Sequence, residues 1–256
     1  MIGTKIIFMW VKFIFKKVYI FINHILAIFG FSVVKKSELL DFVLFKYKDL
    51  NSYRDTQIYL NKIKLNSIWA DENTLNSICK ILVSHSTSLT SGICHGVRSG
   101  FEVNYLNSQL PSVNVIGTDI SDTVKNFSNC FVHDFHEIRD DWLSKFDFVY
   151  SNSLDQSYNP QLALQTWLNQ IHMHGVVIIE HSKGHGPSAV TIGDPFGARA
   201  EVMPFLLSDW FGHQISISWE IVTKQNLKIN TYLFVIKKNV NQVKILDDKL
   251  NIFKET

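Results

Sequence analysis

The chain has 256 residues and is 46% hydrophobic, 19% charged and 13% aromatic, which excludes intrinsic disorder; 12 Gly and 5 Pro exclude collagen-like or low-complexity chains. A net charge of +2 gives no electrostatic reason to expect nucleic acid as a partner. Cys79, Cys94 and Cys130 show no C-x-x-C spacing, so neither a disulfide framework nor a structural zinc site is expected, and a reducing compartment is.

The length predicts one domain, or one domain with an appendage. Residues 1–36 supply the appendage. They hold six lysines (Lys5, Lys12, Lys16, Lys17, Lys35, Lys36) and no acid, so the remainder of the chain is net acidic. Ile6–Val11, Phe13–Phe15 and Val18–Ile22 are apolar, and the longest charge-free run, Val18–Val34, is 17 residues. That falls short of the ~20 residues a spanning helix needs. On a helix, Lys5, Lys12, Lys16 and Asn23 fall within about 20° of one line. A narrow lysine stripe on a wide apolar helix describes an in-plane helix over residues 4–26 lying on an anionic membrane surface. A single span and a helix packed on its own domain are the alternatives. No small-x-small cleavage site follows the segment, which argues against a signal peptide. The expected divisions are a membrane-associating helix at 1–34, a connecting helical segment at 35–70 and a catalytic-type domain at 71–256.

Within 37–68, Leu39, Leu40, Val43 and Leu44 predict one or two connecting helices. Asp71 and Glu72 ahead of Leu75, Ile78, Cys79 and Leu82 predict a helix over about 70–84. From residue 89 short apolar runs alternate with helical stretches. The expected strands are Gly92–His95, Val113–Thr118, Cys130–His133, Phe146–Ser151, Val176–His181, Ile215–Ile221 and Thr231–Lys237. The expected helices are Phe101–Leu110, Arg139–Leu143, Gln161–His172 and Ala200–Trp210. This alternation predicts an α/β fold, a mostly parallel doubly wound sheet covered on both faces. Thr223–Asn230 is too short for a parallel crossover, so the last two strands form an antiparallel hairpin.

Ligands of such sheets bind beyond the carboxyl ends of the strands. The first strand runs into His95-Gly96-Val97-Arg98-Ser99-Gly100 ahead of a helix, a place where glycines let backbone approach a ligand. The second ends at Asp119-Ile120, where an acid can accept hydrogen bonds from ribose hydroxyls or cap the next turn. The third ends at Asp134-Phe135. The fourth is Phe146-Asp147-Phe148-Val149-Tyr150-Ser151, and His174-Gly175 precedes the fifth.

This order of signals resembles the class I S-adenosylmethionine-dependent methyltransferases, over about residues 75–240. The resemblance implies a Rossmann-like seven-stranded sheet with an antiparallel C-terminal hairpin, here preceded by the N-terminal amphipathic helix. It implies S-adenosylmethionine as cofactor, held by His95, Gly96, Arg98, Gly100, Asp119, Ile120, Asp134, Phe135 and Ser151. Three positions depart from the family's pattern, one of them His174, which stands where the turn before the fifth strand often has a first glycine. Arg98 stands where the loop usually has a third glycine, and Cys94 where an acid usually helps to place the methionine amino group. The resemblance leaves His95 or Arg98 to meet the methionine carboxylate.

Methyl transfer to a hydroxyl needs a positioned acceptor and a base. Asp155, His181 and His185 follow the fourth and fifth strands and are the candidates, with His181 favoured because histidine titrates near neutrality. Asp155 can instead cap a helix, and His185 lies in a Gly-His-Gly-Pro segment that reads as a mobile lid. Residues 186–199 form a turn-rich loop in which Asp194 and Arg199 could meet an acceptor. No HExxH or close Cys/His quartet occurs, so no metal is expected. The reading is an O-methyltransferase acting on a small-molecule, surface-glycan or lipid-linked acceptor, cytoplasmic and peripheral on the inner membrane face. A non-catalytic S-adenosylmethionine-binding or scaffold protein is the alternative. A dehydrogenase would want a full GxGxxG, which is absent.

Overall fold

The computed structural model describes residues 2–33, 40–86, 88–225 and 227–239, with side chains described from Phe15 onward. The chain divides into two units, Met1–Leu40 and Asp41–Thr256.

The first unit holds helix α1, Ile2–Ile28. Its end is closed by Gly30 N–H on Ala27 O (3.1 Å) and Phe31 N–H on Leu26 O (3.0 Å), bonds that satisfy the last-turn carbonyls. Asn23, expected on the polar stripe, is engaged locally. Its amide bonds Tyr19 O and Val33 O, and its Oδ1 accepts Val33 N–H at 2.6 Å. Lys16 is exposed, as are the large apolar Phe15 (70%), Phe21 (65%) and Ile28 (79%). The side chains of Lys5, Ile6, Trp10, Lys12 and Phe13 lie outside the described residues. No helix among the described residues is long and apolar enough to cross a membrane.

The second unit begins with strand β1, Phe42–Leu44, and helix α2, Leu50–Ile63, where helices alone were expected. Asp49 caps α2 by accepting Ser52 N–H at 2.7 Å. Helix α3, Glu72–His85, is capped likewise by Asp71, which accepts Thr74 N–H. Then follow β2 (Ser91–His95), α4 (Phe101–Gln109), β3 (Asn114–Asp119), β4 (Cys130–Val132), β5 (Phe146–Ser151), α5 (Pro160–Gln170), β6 (Ile171–Ser182), β7 (Phe196–Ala198), α6 (Met203–Phe211), β8 (Ile215–Lys224) and β9 (Ile229–Lys238).

Seven strands form one sheet in the order β4-β3-β2-β5-β6-β9-β8. All pairs are parallel except β6–β9 and β8–β9, so the terminal hairpin supplies the antiparallel strand. The chain winds outward from β2 to β4 and crosses back to β5. The crevice beyond the carboxyl ends of β2 and β5 is therefore the topological switch point. Both faces are covered. On β6, Val177 and Ile179 pack with Trp167, Met203 and Leu207 of α5 and α6. Val176 and Ile178 pack with Leu75, Ile78 and Leu106 of α3 and α4. This is the two-residue alternation of a strand buried on both sides.

Boundaries differ where side-chain bonds override periodicity. The helix expected over Arg139–Leu143 is a short 3-10 turn, Asp140–Trp142, with Arg139 bonded to Asp141 and stacked on Trp142. Strand β6 starts at Ile171 and takes the end of the helix expected over Gln161–His172. Its register with β5 shifts between Phe146 and Phe148, and His172 bonds Asp147 at 2.8 Å. Gly175 lies opposite this irregularity, where a Cβ would come within 2.9 Å of Asp147 O. Helix α6 starts at Met203 rather than Ala200, because Pro204 lacks a donor and belongs in the first turn. Strand β7 was not expected. It pairs antiparallel with β1 through Phe42–Ala198, Val43–Gly197 and Leu44–Phe196.

Candidate cofactor and acceptor site

The loop between β2 and α4 crosses the switch point. Gly96 and Val97 N–H both bond Thr118 O, at 2.8 and 3.1 Å, and draw the loop over β3. Gly96 has φ +73°, and a Cβ there would lie 2.5 Å from Ser153, so the loop packs directly on the turn after β5. Arg98 adopts φ 45°, a left-handed backbone that costs a non-glycine residue about 1–3 kcal/mol. Three bonds offset that cost. Its N–H reaches Asp119 Oδ2 (2.9 Å), its Nε reaches Asn61 Oδ1 (3.2 Å), and its Nη1 reaches Ser67 O (3.0 Å).

Asp119 ends β3 and is buried. Its Oδ1 accepts from Ser121 N–H at 2.8 Å and from the Asn61 amide at 2.7 Å. Burial raises its pKa, against the opposing pull of the Ser121 and Arg98 amides. Ile120, Asp134, Phe135 and Gly96 line a crevice beside it, closed from the other side by Tyr53, Gln57 and Asn61 of α2 and narrowed to about 10 Å³. Asp134 accepts from the His136 ring (2.7 Å) and from Arg54 Nε (3.4 Å). Burial opposes its ionisation, but the His136 bond and the Arg54 charge hold it below the usual carboxylate range.

Next to this crevice lies an open cavity of about 350 Å³. The glycine loop and Glu102 of α4 line one part, Asn152, Ser153, Asp155 and Gln156 after β5 another, and Lys64, Trp69, His185 and Asp194 are among the residues that complete it. Among the described residues five buried side-chain polar atoms lack a partner, and three belong to this lining: Trp69 Nε1, Glu102 Oε2 and Asp155 Oδ1. Buried polar atoms are ordinarily paired, so three orphans around one cavity mark a place where a ligand completes the bonding. Burial pushes the Asp155 carboxyl well above its ordinary value, with Asp194 adding to it. His185 is held below its ordinary range by burial and by His181 and Lys224. Its Nδ1 accepts Ser182 N–H at 2.9 Å, so the neutral ring carries its proton on Nε2, which faces Asp155 Oδ2 at 3.9 Å.

The expected site residues separate into two groups. Gly96, Arg98, Asp155 and His185 line the open cavity; Gly96, Asp119, Ile120, Asp134 and Phe135 line the narrow crevice. The remaining four turn elsewhere. His181 is not placed as a base: its Nε2 bonds Ala198 O at 2.9 Å, its ring packs on Phe234, and burial lowers its pKa to about 4. His95 is buried under the sheet. Its ring nitrogens pair with Thr118 Oγ1 and Gln170 Oε1, both at 2.7 Å, it stacks on Trp167, and it cannot meet a methionine carboxylate. Ser151 Oγ donates to His95 O and accepts Ser153 N–H, bracing the loop from beneath. Gly100 caps α4, with Cys130 and Phe127 against it. The turn-rich loop 186–199, expected to offer Asp194 and Arg199 to an acceptor, is tied to the second unit. Gln57 bonds Gly193 O at 2.9 Å, Tyr47 bonds Ile192 O, and β7 pairs with β1.

Asn61, Trp69 and Glu102 carry no motif. Glu102 alone had a local signal, an acid in the first turn after the glycine loop. Among the described residues no cluster of three or more His, Cys, Asp or Glu could hold a metal ion.

No protein-family model matches the sequence, and no curated protein does. Solved structures do match. The Burkholderia thailandensis 1,6-didemethyltoxoflavin-N1-methyltransferase, solved with its 1,6-didemethyltoxoflavin and S-adenosylhomocysteine, superposes with TM-score 0.58 at 11% identity, over 76% of this chain and 92% of that one. The plantazolicin methyltransferase BpumL, in complex with a triazolic desmethylPZN analog and SAH, gives TM-score 0.55 at 15% identity, over 74% and 96%. The [4+2]-cyclase SpnF gives 0.52 at 11% identity, over 78% and 98%. With the strand order and the switch-point loop, these likenesses establish that the chain has the fold of the class I S-adenosylmethionine-dependent methyltransferases.

Proposed function

We propose that this protein is an S-adenosylmethionine-dependent O-methyltransferase in which Asp155 is the base. The observation that carries the reading is the unpartnered Asp155 Oδ1, buried in the wall of the cavity that opens beside the glycine loop. The residues fit the cofactor. The cavity next to Gly96 and Arg98 takes the amino-acid end, and Asp119, Ile120, Asp134 and Phe135 surround the place for adenosine, which the crevice admits once Tyr53, Gln57 and Asn61 of α2 draw back from it. The Asn61 amide bonds Asp119 much as a ribose hydroxyl would, and must release it.

S-adenosylmethionine, when bound, supplies a methyl group already activated on a sulfonium. The chain supplies positioning and proton removal. Asp155 accepts the hydroxyl hydrogen of the acceptor and takes the proton as the oxygen–methyl bond forms and the carbon–sulfur bond breaks. Its raised pKa makes it a stronger base than an exposed carboxylate. Trp69 Nε1 donates to a second acceptor oxygen. His185, protonated on Nε2, stands beside Asp155 and favours its ionised form. Small-molecule acceptors are those of the toxoflavin and plantazolicin enzymes, which supports a small polyfunctional acceptor here.

The acceptor class extends to a surface-glycan or lipid-linked precursor met at the cytoplasmic membrane face. Support for this comes from the six lysines and absent acids of residues 1–36 and from the exposed apolar residues of α1. One observation favours a non-catalytic binding or scaffold role instead: Asp119 already accepts three bonds from protein donors, two on Oδ1 and one on Oδ2. Calorimetric titration with S-adenosylhomocysteine, followed by methyl-transfer assays on a panel of hydroxylated acceptors, decides between them. Micromolar binding with turnover supports the enzyme; absence of binding refutes both readings.

A further inference from the structure

Glu102 lies in the first turn of α4 and is 7% exposed, yet it lines the open cavity. Its Oε1 accepts from the Asn152 amide at 3.2 Å, and its Oε2 has no partner. A carboxylate buried with one free oxygen is costly unless a cation or donor meets it. The preceding strand, Ser91–His95, contains no acid that could meet a cation in the cavity, and its Cys94 is buried in the core with α3 and α4. Asp155, the other acid of the cavity with an unpartnered oxygen, comes from the turn after β5 and serves the acceptor in the proposed reaction. Glu102 belongs to the glycine-loop wall, shared with Gly96, Arg98 and Ser99.

We propose that Glu102 is the binding residue for the α-ammonium group at the amino-acid end of the cofactor. The inference rests on the methyltransferase reading and names the residue that recognises one end of that ligand. A fixed carboxylate there selects a ligand carrying a primary ammonium over one that ends at the thioether. The bond from Asn152 orients the carboxyl, and Oε2 is left for the incoming N–H.

The groups around Glu102 set how binding responds to pH. Burial raises its pKa to about 7, while Asn152 and the Arg98 charge pull it down and Glu180 of β6 pushes it up. Asp155, Asp194 and Lys64 share the cavity, and the Cys94 and Cys130 thiols sit near Glu102 with their own pKa values raised. A cation on Oε2 favours the ionised carboxyl, so ligand binding releases a proton, and affinity rises as the pH climbs through about 7.

The test is calorimetric titration of the full chain and of Glu102→Gln with S-adenosylhomocysteine and with 5′-methylthioadenosine, which has the same adenosine and thioether but no amino-acid end. Glu102→Gln should weaken S-adenosylhomocysteine by about tenfold or more, the scale of a hydrogen bond to a charged group, and leave 5′-methylthioadenosine within about twofold. The variant should also lose the rise of affinity with pH. Equal weakening of both ligands, or of neither, overturns the assignment while leaving the methyltransferase reading intact. Failure of the wild type to bind either ligand overturns both. Thermal melting of Glu102→Gln and Glu102→Ala, with retained 5′-methylthioadenosine binding, checks that the variants are folded.

Discussion

The Asn61 side-chain amide donates to Asp119 Oδ1 at 2.7 Å, across 58 residues of sequence, while Arg98 Nε donates to Asn61 Oδ1 at 3.2 Å. Helix α2 thereby holds both the strand-end acid and the glycine loop. Asn61→Ala removes a competitor for Asp119, and S-adenosylhomocysteine should bind about 3–10-fold more tightly. In the free protein the same change leaves a buried acceptor short of one donor, a loss of about 1–3 kcal/mol. The variant should therefore melt lower alone and show a larger ligand-induced rise in Tm than the wild type. Weaker binding by Asn61→Ala would mean that Asn61 contacts the ligand rather than yielding to it.

Asp119→Ala gives the complementary result. Loss of the carboxylate should weaken S-adenosylhomocysteine by about 1.5–3 kcal/mol, the range for hydrogen bonds to a charged group. An unchanged affinity would remove Asp119 from the ribose site and with it the alignment of the strand ends.

Asp155→Asn keeps the shape of the carboxyl and cannot take a proton. Turnover should fall by roughly 10²–10⁴-fold, with S-adenosylhomocysteine affinity changed by less than about threefold. The wild-type rate should rise with pH as Asp155 ionises, and the rise should be displaced above the ordinary carboxylate range. Stability moves the other way. A carboxyl whose folded pKa lies above its unfolded value contributes stability below the unfolded value and loses it as pH rises through the folded one. Asp155→Asn should therefore hold its Tm better than the wild type in alkaline buffer, as thermal melts across pH will show.

Much of the fold is legible because buried parallel strands read as continuous apolar runs and because Thr223–Asn230 is too short for anything but a hairpin. The strand-end rule also leads to Gly96, Arg98, Asp119 and Asp134. It fails where facing matters more than position. Glu180 and His181 both end β6, but strand alternation sends Glu180 to a buried pair with Lys224 and Tyr150, and His181 to the other face beside Phe234. Position along a strand says nothing of which face a residue takes unless the register is known, and the shift between Phe146 and Phe148 hides it. Asn61 and Trp69 were invisible for a different reason. They reach the site only through the packing of residues 41–70, and no local pattern encodes a contact 58 residues away.

His181 offers a test of that correction. His181→Asn should leave turnover within about threefold at temperatures where the protein is folded, since the ring bonds Ala198 O and lies outside the cavity wall. Its folded pKa, lowered to about 4 by burial, gives a defined pH signature. The neutral ring contributes stability above its unfolded value near 6.5, and that contribution is lost as pH falls through about 4. His95, lowered by burial to about 3, acts in the same direction. Denaturant unfolding at pH 7.5, 5.5 and 4.5 should show a shallower acid slope in His181→Asn than in the wild type. A 10²-fold loss of turnover with normal stability would restore His181 as a base.

The N-terminal helix can be tested without knowing the acceptor. Lys16 and the large apolar Phe15, Phe21 and Ile28 are exposed, and the charge of residues 1–36 is wholly positive. An in-plane helix of this kind buries apolar area in the interface and adds about 1 kcal/mol for each lysine near anionic lipid. The full chain should sediment with vesicles containing phosphatidylserine or phosphatidylglycerol and bind phosphatidylcholine vesicles much less. Raising the salt should release part of it, because exposed charges are screened over about 8–10 Å at physiological ionic strength and over less above it. Replacing Lys12, Lys16 and Lys17 by Glu should abolish the preference for anionic lipid. Deleting residues 1–33 should leave a protein that no longer sediments with vesicles and still binds S-adenosylhomocysteine, since the sheet, the glycine loop and α2 all lie within Asp41–Thr256. Equal binding to neutral and anionic vesicles, unaffected by salt, would mean that the lysines play no part, and vesicle binding retained by the truncated chain would move the contact to the second unit, Asp41–Thr256.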